Sequence, residues 1–256
     1  MNKLVVIKIG SSLVTNKEDT LDENFIRLIS AQIRKLIEQD FEIVVVTSGA
    51  IAQGMKAWGM SEKPTEIDKL QALSAVGQIG LINAYQKEFK IHGLLAAQVL
   101  MSHGDFKDSE RSDNVKSSLK NIFGLGAIPI INENDSVSTE EIKHGDNDQL
   151  SGGVAKLIEA SQLIILTDQE GIYETDPSKD SQAKLLSHII LNKLDDYEIK
   201  FGKPGEFGRG GMETKLKAAK NYLNDKNAVW IANGRLENIL IDILKNKEIG
   251  TKITSN

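Results

Sequence analysis

The chain of 256 residues is 40% hydrophobic and 26% charged, a globular balance that excludes disordered and collagen-like classes. Its longest apolar runs, Leu4–Ile7, Ile43–Val46 and Leu163–Leu166, are strand-length, against the roughly 18 apolar residues that a bilayer crossing needs. A net charge of −5 argues against a nucleic-acid backbone as main partner, and zero cysteines exclude disulfides, thiolate zinc sites and thiol nucleophiles.

The start, MNKLVVIKIG, enters an apolar run with no leader-like segment, so a cytoplasmic location is expected. From there β-branched runs alternate with segments of helical period. The spacing predicts strand Leu4–Ile9, helix Glu23–Glu38, strand Ile43–Thr47, helices Ala50–Trp58 and Lys69–Phe89, strand Leu94–Leu100 and helix Ser112–Phe123. Strand Ala127–Asn132, helix Asp148–Ala160, strand Leu163–Thr167, helix Glu213–Asn224, strand Ala228–Ala232 and helix Leu236–Asn246 follow, with Ile249–Ile253 as an edge strand. Ser136–Lys143 reads as a hairpin excursion, and Gly171–Gly211 as a stretch without clear period. This alternation is the mark of an α/β fold with a mainly parallel sheet covered by helices. No linker divides the chain, so one domain over residues 1–256 is expected.

Two common nucleotide motifs fail. Gly49 and Gly54 have phosphate-loop spacing, but Met55 and Lys56 follow in place of Lys and a hydroxyl residue. Gly208 and Gly210 begin a dinucleotide fingerprint, but Glu213 stands where its third glycine belongs. Instead, four predicted strands run into small polar clusters: GSS at Gly10–Ser12, TSGA at Thr47–Ala50, NEND at Asn132–Asp135 and TDQEG at Thr167–Gly171. The carboxyl ends of strands form the ligand crevice of open α/β sheets, so four clusters on one edge point to a composite site.

Lys8 interrupts the first apolar strand. It needs either a nearby anion or an edge strand that lets it reach solvent, and the adjoining Gly10–Ser12 turn favours an anion cradle. Glu133, Asp135, Asp146 and Asp148 gather four carboxylates that suit an ammonium group, a metal ion or the orphan lysine. GRGGMETK at Gly208–Lys215 is a glycine-rich turn opening a helix, with Arg209 and Lys215 as cations for a phosphate grip. His92, His103, His144 and His188 have no metal-ligand spacing and read as surface or loop residues. No metal site is proposed.

In this order and spacing, KIGSS, VTSGAIAQG, INENDSV, HGDNDQLS, LTDQEGIYETDP and GRGGMETKLKAA closely resemble the glutamate 5-kinase group of the amino acid kinase family. The resemblance covers Lys3 to about Gly250. It implies a three-layer αβα sandwich that transfers the γ-phosphoryl group of ATP to the side-chain carboxylate of L-glutamate, giving L-glutamyl 5-phosphate for proline synthesis. By motif, Lys8 and Lys215 would contact the transferring phosphoryl group and Asp148 would hold Lys8. Ser48, Asp135 and Asn147 would contact glutamate. Thr167 and Asp168, with the loop Arg209, Gly210, Gly211, Met212, Glu213, Thr214 and Lys215, would contact ATP, whose phosphates would carry Mg²⁺. Feedback inhibition by L-proline and a homodimer or homotetramer are implied as well.

The chemistry agrees. A carboxylate is already ionised at neutral pH, so no general base is needed; the demand is for charge neutralisation as two anions meet. Asp135 suits a free α-ammonium group, which favours glutamate over N-acetylglutamate. Two departures stand out: many members carry a C-terminal PUA domain not seen in these 256 residues, and the loop reads GRGGMETK where GTGGMSTK is commoner. The alternatives are another activity of the same family, such as an N-acetylglutamate kinase, or a noncatalytic glutamate or proline sensor.

Overall fold

The computed structural model describes residues 3–16, 20–144, 147–197, 199 and 211–256. In chain order the elements are β1 (Leu4–Ile9), α1 (Ser11–Val14), α2 (Glu23–Ile37), β2 (Glu42–Val46), α3 (Ala50–Ala57), α4 (Ile67–Ile91), β3 (Leu95–Met101), α5 (Ser109–Gly124) and β4 (Ala127–Glu133). Then come α6 (Glu140–His144), α7 (Asn147–Leu157), β5 (Gln162–Thr167), β6 (Ile172–Tyr173), β7 (Leu185–Leu186), β8 (His188–Ile190), α8 (Met212–Tyr222), β9 (Ala228–Asn233), α9 (Ile239–Leu244) and β10 (Thr251–Thr254). Eight strands form one sheet in the order β3-β4-β2-β1-β5-β9-β10-β8, and β6 pairs with β7 apart from it. β1 runs parallel to both its neighbours, β2 and β5, whereas β10 runs antiparallel to β9.

All six residues of β1 are buried, because helices cover both faces of the parallel sheet and each face must be apolar. Strand alternation sorts them. Val5, Ile7 and Ile9 join Phe25, Ile29 and Ile33 of α2, Tyr85 and Phe89 of α4, and Ile239 and Ile243 of α9 in one core layer. Leu4 and Val6 join Leu119 of α5, Val154 of α7 and Leu216 of α8 in the other. Lys8 continues the second set by the period of two, which turns it towards α7 and α8. The expected three-layer αβα arrangement is therefore present. Among the described residues no helix is long and apolar enough to cross a membrane.

α3 and α4 approach backbone to backbone. A Cβ on Gly77 would lie 1.8 Å from the Ala50 carbonyl oxygen, and one on Gly54 1.9 Å from that of Leu73. Only residues without a side chain fit this crossing, and it lays α4 along the segment that follows β2.

Three expectations need correction. Ser136–Lys143 is not a hairpin: a turn leads into α6, where Ile142 is buried while Val137 stays 73% exposed, so an alternating strand had no apolar face to bury. Ile249–Ile253 is not an edge strand: β10 lies inside the sheet, between β9 and β8. β8 itself falls in the stretch read as having no period, because three residues are too few to display one.

Candidate active site

β1, β2, β4 and β5 are mutually parallel, so their four polar carboxyl-terminal clusters share one sheet edge. Gly10 N–H donates to the Leu166 carbonyl at 3.0 Å, tying the first cluster to the strand residue just before the fourth. At this edge Lys8 is 5% exposed and is not on an edge strand. Its Nζ lies 2.7 Å from Asp148 Oδ1. Lys215 Nζ approaches the other oxygen, Oδ2, at 3.1 Å, and the Thr214 hydroxyl donates to the same atom at 2.7 Å.

Asp148 is in the first turn of α7 and Lys215 in the first turns of α8. The two helices meet closely at Gly152, where a Cβ would come within 2.9 Å of the Ala218 carbonyl. Burial alone would raise the Asp148 carboxyl pKa, but Lys215 and Lys8 beside it overcome that and hold it well below the carboxylate range. Burial pushes the Lys215 ammonium below the ordinary lysine range; Asp148 opposes this shift and Lys8 adds to it. The three buried groups sum to one net positive charge, an environment that favours an anion.

The second and third clusters meet at Asn147, which is fully buried. Its side-chain amide faces the Thr47 carbonyl at 3.0 Å, Ser48 Oγ at 2.9 Å and Asn132 Oδ1 at 3.0 Å. Two amide hydrogens face three acceptors, so they are shared among the Thr47 carbonyl, Ser48 Oγ and Asn132 Oδ1. Asn132 also donates to Gln78 Oε1 at 2.9 Å, and the hydroxyls of Thr47 and Tyr85 are 2.8 Å apart.

Asp135 follows β4 and is 4% exposed. Ser74 Oγ donates to its Oδ2 at 2.5 Å, and Gln71 Nε2 donates to its backbone carbonyl at 2.6 Å. Its Oδ1 is buried with no hydrogen-bond partner among the described residues. Burial raises the Asp135 pKa, against the lowering effects of the Ser74 hydroxyl and of Lys63. Gln71, Ser74, Gln78 and Tyr85 were missed from the sequence. All four are on α4, and their separations of three, four and seven residues place them on one helical face, which is the signal that was available.

Thr167, 7% exposed, ends β5, and its hydroxyl donates to Asp168 Oδ1 at 3.1 Å. Asp168 is exposed and lies near enough to Lys215 to favour its charged form. Gly211 caps α8 and Met212, Glu213 and Thr214 form its first turn. Glu213 pairs with Lys217 at 2.8 Å on the outside of that helix. Arg209, Gly210 and Asp146 lie outside the described residues. Among those described, no group of three or more His, Asp or Glu side chains is placed to hold a metal ion.

The family model described as the amino acid kinase family matches residues 3–233. The chain belongs to the amino acid kinase family. Curated relatives include a glutamate 5-kinase of Burkholderia thailandensis, 45% identical over 252 residues, and one of Burkholderia cenocepacia, 46% identical over 252 residues. In each pairing the match covers 98% of this chain and 68% of the relative. Among solved structures, a UMP kinase from Bacillus anthracis superposes with a TM-score of 0.66 at 14% identity, covering 99% of this chain and 96% of that one. An isopentenyl phosphate kinase from T. acidophilum gives 0.65 at 21% identity, covering 98% and 99%. At such identities these two structures speak for the shared fold alone. The family resemblance read from the sequence motifs is borne out in this amino acid kinase.

Proposed function

We propose that this amino acid kinase transfers the γ-phosphoryl group of ATP to the side-chain carboxylate of L-glutamate, forming L-glutamyl 5-phosphate, the first step of proline biosynthesis. The glutamate 5-kinase relatives at 45% and 46% identity support the activity. The observation that carries the chemistry is the buried Lys8–Asp148–Lys215 cluster at the carboxyl edge of the sheet.

The side-chain carboxylate of glutamate is ionised above a pKa of about 4.3, so it attacks without a base. The obstacle is repulsion between that anion and the phosphoryl group. Lys8, from β1, and Lys215, from α8, approach Asp148 at its two different oxygens, and both ammonium groups are thereby fixed before substrates arrive. Prearranged cations cost no reorganisation during transfer. Lys215, Thr214, Gly211, Met212 and Glu213 at the amino end of α8 form the ATP side with the Thr167–Asp168 strand end, and Arg209 and Gly210 are assigned to ATP by the family motif alone. Mg²⁺ arriving with ATP would supply further charge neutralisation beside Lys8 and Lys215. On the other side, Ser48 and Asn147 contact glutamate, and the unpartnered Oδ1 of Asp135 receives its α-ammonium group. The cytoplasm, feedback inhibition by L-proline and assembly into a homodimer or homotetramer complete the reading.

The test is ADP release from Mg-ATP with L-glutamate, N-acetyl-L-glutamate, L-aspartate and UMP, with hydroxylamine present to trap an acyl phosphate. Glutamate-dependent turnover with a hydroxamate product is expected. Turnover with another acceptor overturns the substrate assignment, and glutamate binding without turnover turns the protein into a sensor. With Asp135→Ala, the glutamate KM should rise far more than that of ATP.

A further inference from the structure

We infer that Ser74 and Gln71, one turn apart on α4, are positioning residues that clamp Asp135 and so set the selectivity for an acceptor with a free ammonium group. The inference rests on the glutamate reading and adds residues that the sequence motifs do not contain.

The geometry is a three-point arrangement. Gln71 fixes the Asp135 backbone through its carbonyl, and Ser74 takes one carboxylate oxygen. The remaining oxygen, Oδ1, is left buried and unsatisfied. A carboxylate free to rotate would exchange its two oxygens between the hydroxyl and the acceptor site. The hydrogen bond from Ser74 stops that exchange and commits Oδ1 to a single direction. An unsatisfied buried acceptor is costly in the empty protein, and a cation with N–H donors relieves that cost, whereas an acceptor lacking an amino group leaves it in place. Discrimination of this kind comes from the site's own unpaired polar group.

The clamp also acts on ionisation. α4 presents the neutral Gln71 and Ser74 to Asp135, and among the described residues Lys63, on the connection between α3 and α4, is a charged side chain that acts on it. Burial favours the protonated carboxyl, which cannot pair with an ammonium group. The Ser74 hydroxyl works against burial by donating to the charged form. Removing it moves the loss of glutamate binding to higher pH. α4 is held in place by the Gly54 and Gly77 crossing with α3, so the clamp rests on a rigid element.

The experiment compares the full chain with Ser74→Ala and Gln71→Met, using glutamate and glutarate, which is glutamate without its amino group. For Ser74→Ala the glutamate KM is expected to rise about ten-fold, with the ATP KM unchanged. Its preference for glutamate over glutarate should shrink, and the acid limb of kcat/KM for glutamate should move to higher pH. Gln71→Met should reproduce the KM split and the loss of preference without the pH shift, and it keeps the question answerable should Ser74→Ala not fold. Two variants with the wild-type glutamate KM, preference and acid limb would overturn the clamp, as would equal losses for glutamate and ATP. If wild type binds glutamate without turning it over, the function reading fails and the clamp is judged by the same comparison of Kd values from calorimetry. If wild type does not bind glutamate at all, both fall.

Discussion

Lys8 and Asp148 form an ion pair of 2.7 Å with side chains 6% and 0% exposed. It joins one of the two middle strands of the sheet to a helix that begins at Asn147. Lys8 is thus both a core residue and, in the proposed mechanism, a reacting-group contact. These roles separate on substitution. Lys8→Met leaves Asp148 with Lys215 and fills the space with an apolar side chain, so folding should survive. Losing one preorganised cation should lower kcat by about 10²–10³-fold. Steady-state rates beside a thermal melt decide it: a kcat within ten-fold of wild type would remove Lys8 from the chemistry.

Asp148 itself governs acid stability. Its folded carboxyl titrates below the ordinary range because Lys215 and Lys8 flank it. The stability this provides is present in full above the unfolded value of about 4 and is lost as pH falls from there towards the folded value. Melting temperature should therefore decline below about pH 4 in wild type. Asp148→Asn, which leaves two buried lysines without their carboxylate, should lose about 3–5 kcal/mol at pH 7 and show a flatter profile in acid. Calorimetric melts across pH would expose an equally steep acid decline in the variant, contrary to this account.

Asn147→Asp is a small change in shape with a large change in bonding. The amide donates towards the Thr47 carbonyl, Ser48 Oγ and Asn132 Oδ1; a carboxylate would set negative charge against two carbonyl oxygens. A loss of at least about 2 kcal/mol is expected for such a buried mismatch. Urea unfolding reports it, and an unchanged midpoint would mean that the amide network is not holding the two clusters together.

Gly77→Ala tests the crossing of α3 and α4. The new Cβ would fall 1.8 Å from the Ala50 carbonyl oxygen, so the helices must separate. A cost of about 1–3 kcal/mol is expected, together with a raised glutamate KM, since Gln71 and Ser74 move with α4. A variant with wild-type stability would show that the helices part freely.

Much of this was legible in the sequence because apolar periodicity reflects burial directly. LVVIKI reads as an apolar strand whose single lysine needs either a nearby anion or an edge position; β1 is interior and Asp148 is the anion. The strand-end clusters were legible too, since parallel strands must end on one edge. The hidden part lies in α4. Gln71 and Ser74 look like ordinary polar positions in a long helix, and what gives them meaning is a contact with Asp135 across 64 and 61 residues of chain. A one-dimensional pattern carries periodicity, but not which element will lie across it. The same limit explains β8, whose three residues gain their strand character from β10.

The charge cluster also orders events during synthesis. Lys8 is made 140 residues before Asp148, and Lys215 follows both. A nascent polypeptide that has extended only as far as β4 must keep a lysine in its central strand with no carboxylate from α7 to neutralise it. Early compaction around β1 is therefore penalised until α7 has emerged from the ribosome, and Lys215 joins only after α8 follows. Contacts so distant in sequence form late.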